Sequence, residues 1–369
     1  MPIERTKVGV IGCGAISGAY LGAGERYDIL EIVACADLMP ERARARAEEF
    51  NIPKACTVDE LLADPDIAIV VNLTIPVVHA EIALAALQAG KHTYAEKPFA
   101  VTREQGQAVL RLAAEKGLLV GCAPDTFMGA GNQTCRKLID DGWIGEPIGA
   151  SVFMMCHGHE SWHPDPDFYY QPGGGPMFDM GPYYLTALTN LLGPTASVAG
   201  SATTTYPERL ITSQPHYGEI INVKVPTHVN GIMQFAGGVM GTITTSFDVW
   251  GSAHGPIEIY GTEGSLLVPD PNSFGGNIRV KRAEHEGWMD VPHTHGYADP
   301  NRGVGVADMA YAIRSGRPHR ASGAMAYHVL DIMHAFTDAW ESRQWVKLES
   351  TTERPAALPV GLRPGTLDG

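Results

Sequence analysis

Three side chains that could transfer or orient a proton stand out in the sequence: Lys97, Asp179 and Tyr183. Lys97 lies between apolar neighbours, where burial should lower the pKa of its ammonium group toward the value that a proton acceptor requires. Asp179 and Tyr183 are four residues apart, so on a helix both would project from one face and could share one substrate hydroxyl. The alternative interpretation is that Tyr183 and Tyr184 only pack a helix that Asp179 caps.

A glycine-rich turn near the start of the sequence could bind a pyrophosphate. It follows the strand-like run 8–11, it opens a helical pattern, and its residues are Gly12, Cys13, Gly14, Ala15, Ile16 and Ser17. Gly12 would permit the tight turn, Gly14 would let the backbone approach the phosphates, and the helix N-terminus would attract the anion. Asp37 follows the next strand-like run, about 20 residues further on, where an acidic residue binds the adenosine ribose. An Asp there repels a 2′-phosphate, so the sequence predicts NAD in preference to NADP.

A nicotinamide cofactor gives Lys97 a specific task. Oxidation of an alcohol sends a hydride to the cofactor and a proton to a base, and that base must be neutral beforehand. A positively charged nicotinamide ring beside Lys97 should lower the pKa of the lysine further. Pro98 would hold the turn after Lys97, with a peptide bond that could be cis. Glu96 is expected to orient this loop rather than to react.

The elements that must position these residues alternate regularly over residues 1–124. Strand-like runs occur at residues 8–11, 30–36, 67–73, 93–95 and 118–122. Helical patterns lie between them at residues 15–21, 40–50, 77–89 and 103–116. Capping boxes at Thr57 with Glu60 and at Thr102 with Gln105 mark two helix starts. Repetition of strand and helix predicts an α/β domain whose parallel sheet is covered on both faces.

The pattern changes after residue 124. Strand-like segments separated by Gly, Pro and Asn turns occur at residues 227–235, 240–247, 257–260, 265–268 and 278–281. Two late helices are predicted at residues 306–315 and 324–341, with Ser322 near the start of the second. Residues 125–353 are therefore predicted to form a second domain on a large, mostly antiparallel sheet. The Pro/Gly-rich tail, residues 354–369, has little to bury, and we expect it along the surface or mobile.

Composition excludes several classes of protein. The 369 residues include 27 Lys+Arg and 41 Asp+Glu, a net charge of −14, without the basic stripe that nucleic-acid binders carry. The apolar runs are too short to cross a bilayer and no apolar leader precedes them, so we expect a cytoplasmic protein without a membrane partner. The six cysteines include no C-x-x-C pair, so neither disulfides nor a cysteine zinc site is expected.

Several motifs together connect the sequence to a known family. Besides the glycine turn, they are Asn72-Leu73-Thr74-Ile75-Pro76-Val77-Val78-His79, Tyr94-Ala95-Glu96-Lys97-Pro98, and the segments 173–181 and 260–266. With these motifs the sequence resembles the Gfo/Idh/MocA oxidoreductases, the glucose-fructose oxidoreductase and inositol dehydrogenase family, over nearly the whole chain. The resemblance implies an N-terminal Rossmann domain, a C-terminal α/β domain with a large open sheet, and hydride transfer between a nicotinamide and a sugar or polyol carbon.

The resemblance also implies which residues contact the cofactor. Besides the glycine turn and Asp37, they are Leu38, Thr74, Ile75, Pro76, His79, Glu96 and Lys97. The sequence departs from the family at one position, because the usual histidine four residues after Asp179 is Tyr183. We therefore expect Lys97 to be the base, with Asp179 and Tyr183 positioning the substrate. A phenol beside a protonatable lysine can donate and accept hydrogen bonds while the lysine takes the net proton.

The polar and aromatic run 157–164 is a candidate lining for the substrate pocket. Trp162 could stack on the apolar face of a sugar ring, while His159 and His163 could hydrogen-bond to its hydroxyls. A zinc site at His157, His159 and Glu160 is the competing interpretation, but strand neighbours alternate faces and no fourth ligand is evident, so we expect no metal. A plain surface loop is a third interpretation of these histidines.

Two other segments could contact substrate hydroxyls because of their position in such a fold. They are Asp125 with Thr126, beyond the last strand of the parallel sheet, and residues 301–303, before a late helix.

The sequence favours an NAD-dependent oxidoreductase that acts on a hydroxyl carbon of a sugar, sugar derivative or cyclitol, with Lys97 as general base or acid. One alternative is transient oxidation during elimination of an aglycone, as in the glycosidase branch of the family. Another is a regulatory protein that senses NAD or a sugar and catalyses nothing, for which the missing histidine at position 183 is mild support. The resemblance also implies a homodimer or homotetramer formed through the C-terminal sheet.

Overall fold

Short buried strands that alternate with helices produce the first sheet of the molecule. The computed structural model describes residues 4–368, and its first sheet is parallel throughout, in the order β3-β2-β1-β4-β5-β6. The strands are β1 (Thr6–Ile11), β2 (Leu30–Ala36), β3 (Lys54–Cys56), β4 (Ile69–Asn72), β5 (His92–Ala95) and β6 (Val120–Cys122). The strand order reverses between β1 and β4, and open α/β sheets bind ligands in the crevice at the carboxyl ends of such strands.

Six helices connect these strands. They are α1 (Ser17–Leu21), α2 (Ala23–Arg26), α3 (Pro40–Glu49), α4 (Val58–Ala63), α5 (His79–Gln88) and α6 (Arg103–Lys116). Both predicted capping boxes are present, at Thr57 with Glu60 and at Thr102 with Gln105, and they begin α4 and α6 by satisfying unpaired N–H groups. The predicted helix 77–89 is divided into a 3₁₀ turn, Pro76–Val78, and α5. Strand β3 was not predicted, since its three residues are too few for a periodic pattern.

The second sheet has nine strands in the order β16-β15-β14-β13-β7-β12-β11-β8-β17. All neighbours are antiparallel except β7 and β12. The strands are β7 (Pro147–Met155), β8 (Thr195–Thr203), β11 (His228–Phe235), β12 (Met240–Ser246), β13 (Ile257–Gly261), β14 (Gly264–Val268), β15 (Ile278–Arg282), β16 (Met289–Val291) and β17 (Val346–Lys347), while β9 (Glu208–Leu210) and β10 (Ile220–Asn222) form a separate pair. The predicted fold class, a parallel sheet followed by a large and mostly antiparallel sheet, is confirmed.

Four helices of the second half cover one face of the large sheet. They are α7 (Ala130–Asp140), α8 (Gly175–Asp179), α9 (Gly181–Leu192) and α11 (Gly323–Ser342), while α10 (Val304–Ser315) packs elsewhere. The Ser322 hydroxyl accepts the N–H of Met325 and begins α11, as the sequence indicated. Phe336 of α11 packs against the sheet at Gly231, where an added Cβ would lie 2.1 Å from the phenyl ring. Glycine is required there because any side chain would displace this packing.

Helix α10 and the C-terminal tail pack against the first sheet. Buried residues of α10, including Val304 and Met309, share a core with Val8 and Val10 of β1. The tail is not the weakly packed segment that its composition predicted, since Leu358 and Leu367 are buried in the same core. Arg320 pairs with Asp368 and Asp308, and the N–H of Asp28 donates to the carbonyl of Gly365. Long-range hydrogen bonds and two leucines fix the tail, and composition does not reveal either. Among residues 4–368, no helix combines the length and the apolar character that a bilayer span needs.

Candidate active site

The turn after β1 is built so that only glycine fits at its first position. Gly12 has a φ of +101°, and an added Cβ would lie 2.6 Å from the carbonyl carbon of Leu73, at the end of β4. An added Cβ at Gly14 would meet no atom within 4 Å, so this part of the turn is open to a ligand. The turn is therefore tight against the neighbouring strand on one side and accessible on the other, as close approach of a phosphate requires.

Asp37 holds this turn and also faces a cavity. Its Oδ2 accepts the N–H of Cys13 at 2.7 Å and its Oδ1 accepts the N–H of Met39 at 2.9 Å. The adjacent cavity, of about 390 Å³, is lined by Ile11, Gly12, Gly14, Asp37, Leu38, Arg42, Val58, Leu73, Thr74, Ile75, Val78, Glu81 and Ile82. The open turn suits a pyrophosphate, the carboxylate suits a ribose and the aliphatic walls suit an adenine, so the residues present fit NAD.

Three of the predicted cofactor residues lie behind the wall of this cavity rather than on it. Cys13 is buried, and the Ser17 hydroxyl donates to the carbonyl of Gly14 at 2.7 Å. His79 is also buried, with Nδ1 2.7 Å from the carbonyl oxygen of Pro98 and Nε2 2.9 Å from that of Thr74. These three side chains shape the backbone that faces the ligand. Ala15 is exposed on the turn, outside the lining of this cavity.

A second cavity, here called the Lys97 cleft, adjoins the first at Leu73 and Thr74. Its volume is about 380 Å³, and it is lined by Ile16, Leu73, Thr74, Pro76, Glu96, Lys97, Pro98, Phe168, Tyr169, Gly173, Gly174, Phe178, Asp179, Tyr183 and Arg302. The cleft brings together all three side chains that the sequence selected for proton transfer. Segments that connect the strands of both sheets form its walls. A substrate in the cleft would therefore contact residues from both halves of the chain.

Glu96 fixes the backbone from which Lys97 projects. Its Oε1 accepts the hydroxyl proton of Tyr20 at 2.7 Å, and its Oε2 accepts the backbone N–H of Lys97 at 3.0 Å. The following peptide bond, between Lys97 and Pro98, is cis. With both carboxylate oxygens engaged by the protein, Glu96 orients the loop at the end of β5.

Lys97 forms an ion pair with Asp179 inside the cleft. Its Nζ donates to Asp179 Oδ1 at 2.9 Å and to the backbone carbonyl of Asp179 at 2.8 Å. Burial lowers the pKa of Lys97, but the charge and hydrogen bond of Asp179, together with Tyr183 and Glu96, outweigh burial and raise that pKa above its usual value. Burial likewise raises the pKa of Asp179, but the charge of Lys97 and the hydrogen bonds from Lys97 and His159 together overcome burial, so the pKa of Asp179 is lowered. The expectation of a lowered lysine pKa was therefore wrong, because it counted the apolar neighbours without the carboxylate.

Asp179 and Tyr183 both reach the cleft, but not from one continuous helix. Asp179 ends α8 and Tyr183 lies in the first turn of α9, with a break at Met180. Pro182 has no N–H to donate to the carbonyl of Phe178, and its ring opposes a continuous helix at that point. The four-residue spacing still brings the two side chains to the same cleft, where Lys97 Nζ lies 5.3 Å from the centre of the Tyr183 ring.

A histidine from the loop after β7 completes the contacts of Asp179. His159 Nε2 lies 3.1 Å from Asp179 Oδ2, so the carboxylate bridges Lys97 and His159. The His159 ring is packed between Trp162 and Tyr169, with ring centres 5.2 and 4.2 Å away. The sequence named His159 as a hydroxyl ligand, but its partner is Asp179. This contact joins residues 20 positions apart, which no local motif encodes.

The neighbouring groups that resembled a metal-ligand set point in different directions. The His157 ring stacks on Trp250 at 3.4 Å between centres. Glu160 forms a buried ion pair with Arg209, which also pairs with Asp248. Over residues 4–368, no group of three or more His, Cys, Asp or Glu side chains is arranged to hold a metal ion. The Arg209 pairs instead hold the 157–163 loop against the second sheet.

The aromatic lining of the cleft comes from residues that the sequence did not select. Trp162 is 61 % exposed and lies outside the lining, as does His163, whose Nδ1 accepts the N–H of Asp165. Phe168, Tyr169 and Phe178 form the aromatic walls. No sequence signal distinguished them, because the chain must turn back through a 3₁₀ helix, Asp167–Tyr170, to bring two of them to the cleft.

Asp125 and Thr126 were expected at the cleft and are buried elsewhere. Asp125 Oδ2 accepts the N–H groups of Gly303 and Gly305, at 2.9 and 3.1 Å, so its carboxylate holds the start of α10. This corrects the predicted hydroxyl contact, and Thr126 is buried in the adjoining 3₁₀ turn. Of the two segments selected by position alone, only 301–303 reaches the cleft, through Arg302.

The fold and the site together define a class of protein: an NAD-binding oxidoreductase with an N-terminal Rossmann domain. Residues 6–123 match the family model described as "Oxidoreductase family, NAD-binding Rossmann fold". Residues 132–267 match the model of the GFO/IDH/MocA C-terminal domain. The chain belongs to the GFO/IDH/MocA family of oxidoreductases.

Named relatives agree with this assignment. The chain is 31 % identical over 291 residues to a 1,5-anhydro-D-fructose reductase of Ensifer adhaerens, a match covering 77 % of this chain and 82 % of the relative. It is 26 % identical over 390 residues to a levoglucosan dehydrogenase of Pseudarthrobacter phenanthrenivorans, covering 93 % and 98 %. Among solved structures, an NAD-binding oxidoreductase from Klebsiella pneumoniae has a TM-score of 0.82 at 24 % identity, covering 93 % of this chain and 99 % of that one. At that identity the structural likeness concerns the fold alone.

Proposed function

We propose that this protein transfers a hydride between a hydroxyl carbon of a sugar, sugar derivative or cyclitol and NAD, with Lys97 as the general acid and base. The observation that carries the proposal is the meeting of Lys97, Asp179 and Tyr183 in a cleft that adjoins the glycine turn and Asp37. Relatives named as acting on 1,5-anhydro-D-fructose and levoglucosan support this substrate class. When bound, the nicotinamide supplies the hydride donor or acceptor.

Lys97 and Tyr183 would bind the reacting oxygen of the substrate. Two protons of the Lys97 ammonium group are directed at Asp179, which leaves the third available to the cleft. In the reductive direction, Lys97 would donate a proton to the carbonyl oxygen as it gains negative charge. In the oxidative direction, a neutral Lys97 would accept the hydroxyl proton. Asp179 orients the amine in both directions, because its carboxylate and carbonyl accept two N–H bonds and leave the third position, a proton or a lone pair, directed at the cleft.

The Asp179–His159 contact supports the role of Asp179 in orienting Lys97. His159 Nε2 donates to the carboxylate oxygen that Lys97 leaves free, so the ionised carboxylate is held by one donor on each side. His159, from another part of the chain, therefore positions Asp179, and residue 183 does not have the relay position that the family resemblance gave it. Tyr183 is then free to bind the substrate.

The aromatic walls support a cyclic, uncharged substrate. Phe168, Tyr169 and Phe178 offer ring faces to the C–H face of a sugar ring or cyclitol. Polar groups are concentrated at the Lys97 end of the cleft. A pocket of this kind orients a neutral polyol by a few hydrogen bonds and buries the rest of its surface.

A substrate panel tests the proposal directly. We expect the absorbance of NADH to rise when the protein and NAD are mixed with at least one aldose, anhydrosugar or cyclitol. It should fall when the protein and NADH are mixed with the matching keto compound. Release of an aglycone without net NADH would favour the elimination chemistry instead. Tight NADH binding without turnover of any panel member, in either direction and with either NAD or NADP, would contradict the proposal and indicate a sensor.

The pH dependence should differ between the two directions. Because Asp179 raises the pKa of Lys97, the lysine is protonated at neutral pH. Reduction uses this form, so its rate should stay flat between about pH 6 and 8. Oxidation needs the neutral amine, so its rate should rise by about tenfold per pH unit over the same range. Initial rates at saturating substrate measure both profiles. An oxidation rate that levels off below about pH 8 would instead indicate a lowered lysine pKa.

A further inference from the structure

Arg302 reaches the Lys97 cleft from the far end of the chain and contacts the hydroxyl of Tyr183. Its Nη2 donates to Tyr183 Oη at 3.0 Å and to Asn272 Oδ1 at 3.2 Å. The centre of its guanidinium group lies 5.5 Å from the centre of the Tyr183 ring. Its side chain is only 14 % exposed and its Nη1 is 3.9 Å from Asp125 Oδ1. The guanidinium is thus a buried cation held between the Tyr183 phenol and the Asp125 carboxylate.

The chemistry of arginine settles the direction of the hydrogen bond to Tyr183. A guanidinium group has only donors, so Tyr183 Oη accepts in this contact and its own proton must be donated elsewhere. Among the described residues the structure gives that proton no acceptor, and Tyr183 lines the cleft. The phenol proton is therefore available to a ligand oxygen in the cleft. Lys97 offers its third N–H proton to the same space.

We propose that Arg302 is a positioning residue that holds Tyr183 as a hydrogen-bond donor to the reacting oxygen of the substrate, opposite Lys97. The inference rests on the proposed function and extends it to a residue outside the family motifs described above. Tyr183 keeps its proton throughout the reaction. In reduction, the N–H bond of Lys97 breaks and the new O–H bond of the product forms, while the donated bond from Tyr183 stabilises the oxygen as negative charge develops.

The charges around Tyr183 give the proposal a spectroscopic consequence. The groups that face it are Lys97 and Glu96 from the end of β5, Arg302 from the loop before α10, and Tyr169 from the 3₁₀ turn. Burial raises the pKa of Tyr183, whereas the positive charges of Lys97 and Arg302 lower it. Removal of Arg302 takes away one of these charges and the hydrogen bond, so the phenol should ionise at higher pH.

Ionisation of Tyr183 can be followed without substrate or cofactor. The protein would be labelled with tyrosine carrying ¹³C at Cζ, and the Tyr183 signal would be assigned by its loss in Tyr183→Phe. In Arg302→Met, the midpoint of the Tyr183 titration should move upward by at least about one pH unit relative to the unsubstituted protein. A midpoint that does not move, in a variant that melts at the normal temperature, would overturn the proposal.

Kinetic coupling tests whether Arg302 acts through Tyr183. Arg302→Met should lower kcat for reduction by about tenfold, with NADH affinity unchanged, because the phenol is no longer fixed toward the substrate. In a Tyr183→Phe background the same change should have almost no further effect on kcat, since its target is gone. A residue with a merely structural role would lower kcat by the same factor in both backgrounds, and that result would contradict the proposal.

Two further variants keep the test decisive if Arg302→Met does not fold. Arg302→Lys retains the charge but not the shape that joins Tyr183 to Asn272, so it should shift the Tyr183 midpoint less than Met does. Asn272→Ala alters an exposed residue outside the cleft lining and should loosen Arg302 and move the midpoint upward. Unmoved midpoints in both would overturn the proposal. If no sugar or cyclitol is turned over but the midpoints move, the proposed function fails and the Arg302–Tyr183 relation stands.

Discussion

Lys97→Met is expected to lower kcat in both directions by about a thousandfold, the magnitude typical of a lost general acid or base. Methionine approximates the length of the aliphatic stem but has no proton to give and no lone pair of sufficient basicity to accept one. NADH affinity should be nearly unchanged, because the glycine turn and Asp37 lie in the adjoining cavity. Single-turnover rates measure the chemical step, and NADH fluorescence titration measures binding.

A matched substitution separates this effect from the general loss of a lysine charge. Lys54→Met removes a half-exposed lysine that pairs with Asp64 at 3.3 Å, far from the cleft in the sheet order. It should leave both kcat and NADH affinity unchanged, since exposed ion pairs contribute little. If Lys97→Met turned over at the rate of the Lys54→Met variant, Lys97 would not be the acid and base, and Tyr183 or His159 would have to be considered for that role.

Gly12→Ala is expected to weaken NADH binding by about a hundredfold or more, a loss of roughly 3 kcal/mol. An alanine at Gly12 would need a left-handed backbone and would place its Cβ 2.6 Å from the Leu73 carbonyl carbon. The turn would have to move away from β4, and the backbone that faces the phosphates would move with it. Because the strain is in the folded protein, the free energy of unfolding should also fall by at least about 2 kcal/mol.

Two other glycines make this prediction specific. Gly90→Ala imposes the same kind of strain, at φ +77°, without any clash and outside both cavities, so it should cost stability but leave NADH affinity unchanged. Gly14→Ala meets no protein atom, so it should keep stability and weaken NADH binding by crowding the phosphates. Thermal melting and fluorescence titration of the three variants measure both quantities. Normal NADH affinity in Gly12→Ala would show that the turn does not bind the cofactor.

Local sequence patterns were sufficient for most of the architecture. Alternating apolar runs and helices predicted the parallel sheet, and the capping boxes at Thr57 and Thr102 began helices as expected. These features are encoded within a few residues, by the two-residue period of strands and by side chains that bond to the nearest free N–H groups. Strands β7 and β8 were not predicted, because small and polar residues such as those of Thr195–Thr203 give no clear alternation.

The residues of the candidate site could also be predicted only in part from local sequence patterns. Gly12 and Asp37 were selected from a glycine turn and an acidic residue that each follow a strand, and the carboxyl ends of parallel strands meet at one edge of a sheet. Lys97 was selected from its apolar neighbours and its motif, residues 94–98. The sequence marks Arg302 only as part of a segment near a helix start, and no sequence pattern marks Tyr169. Asp125 was selected by the same positional argument, but it is buried under α10. Position after a strand predicts proximity to the cleft, but it does not predict the direction of a side chain.

The sequence by itself determined the fold class, the dinucleotide turn and the identity of the proton-transferring lysine candidate, because all three depend on residues close together in the chain. Only the tertiary structure decided the charge state of that lysine and the partners of Tyr183. Lys97 is 82 residues from Asp179, and Arg302 is 119 residues from Tyr183. Electrostatic interactions depend on distance in space and on burial, neither of which can be obtained from spacing along the chain. The same lysine would have a lowered pKa beside apolar groups alone, and it has a raised one here because the fold brings a carboxylate within 2.9 Å.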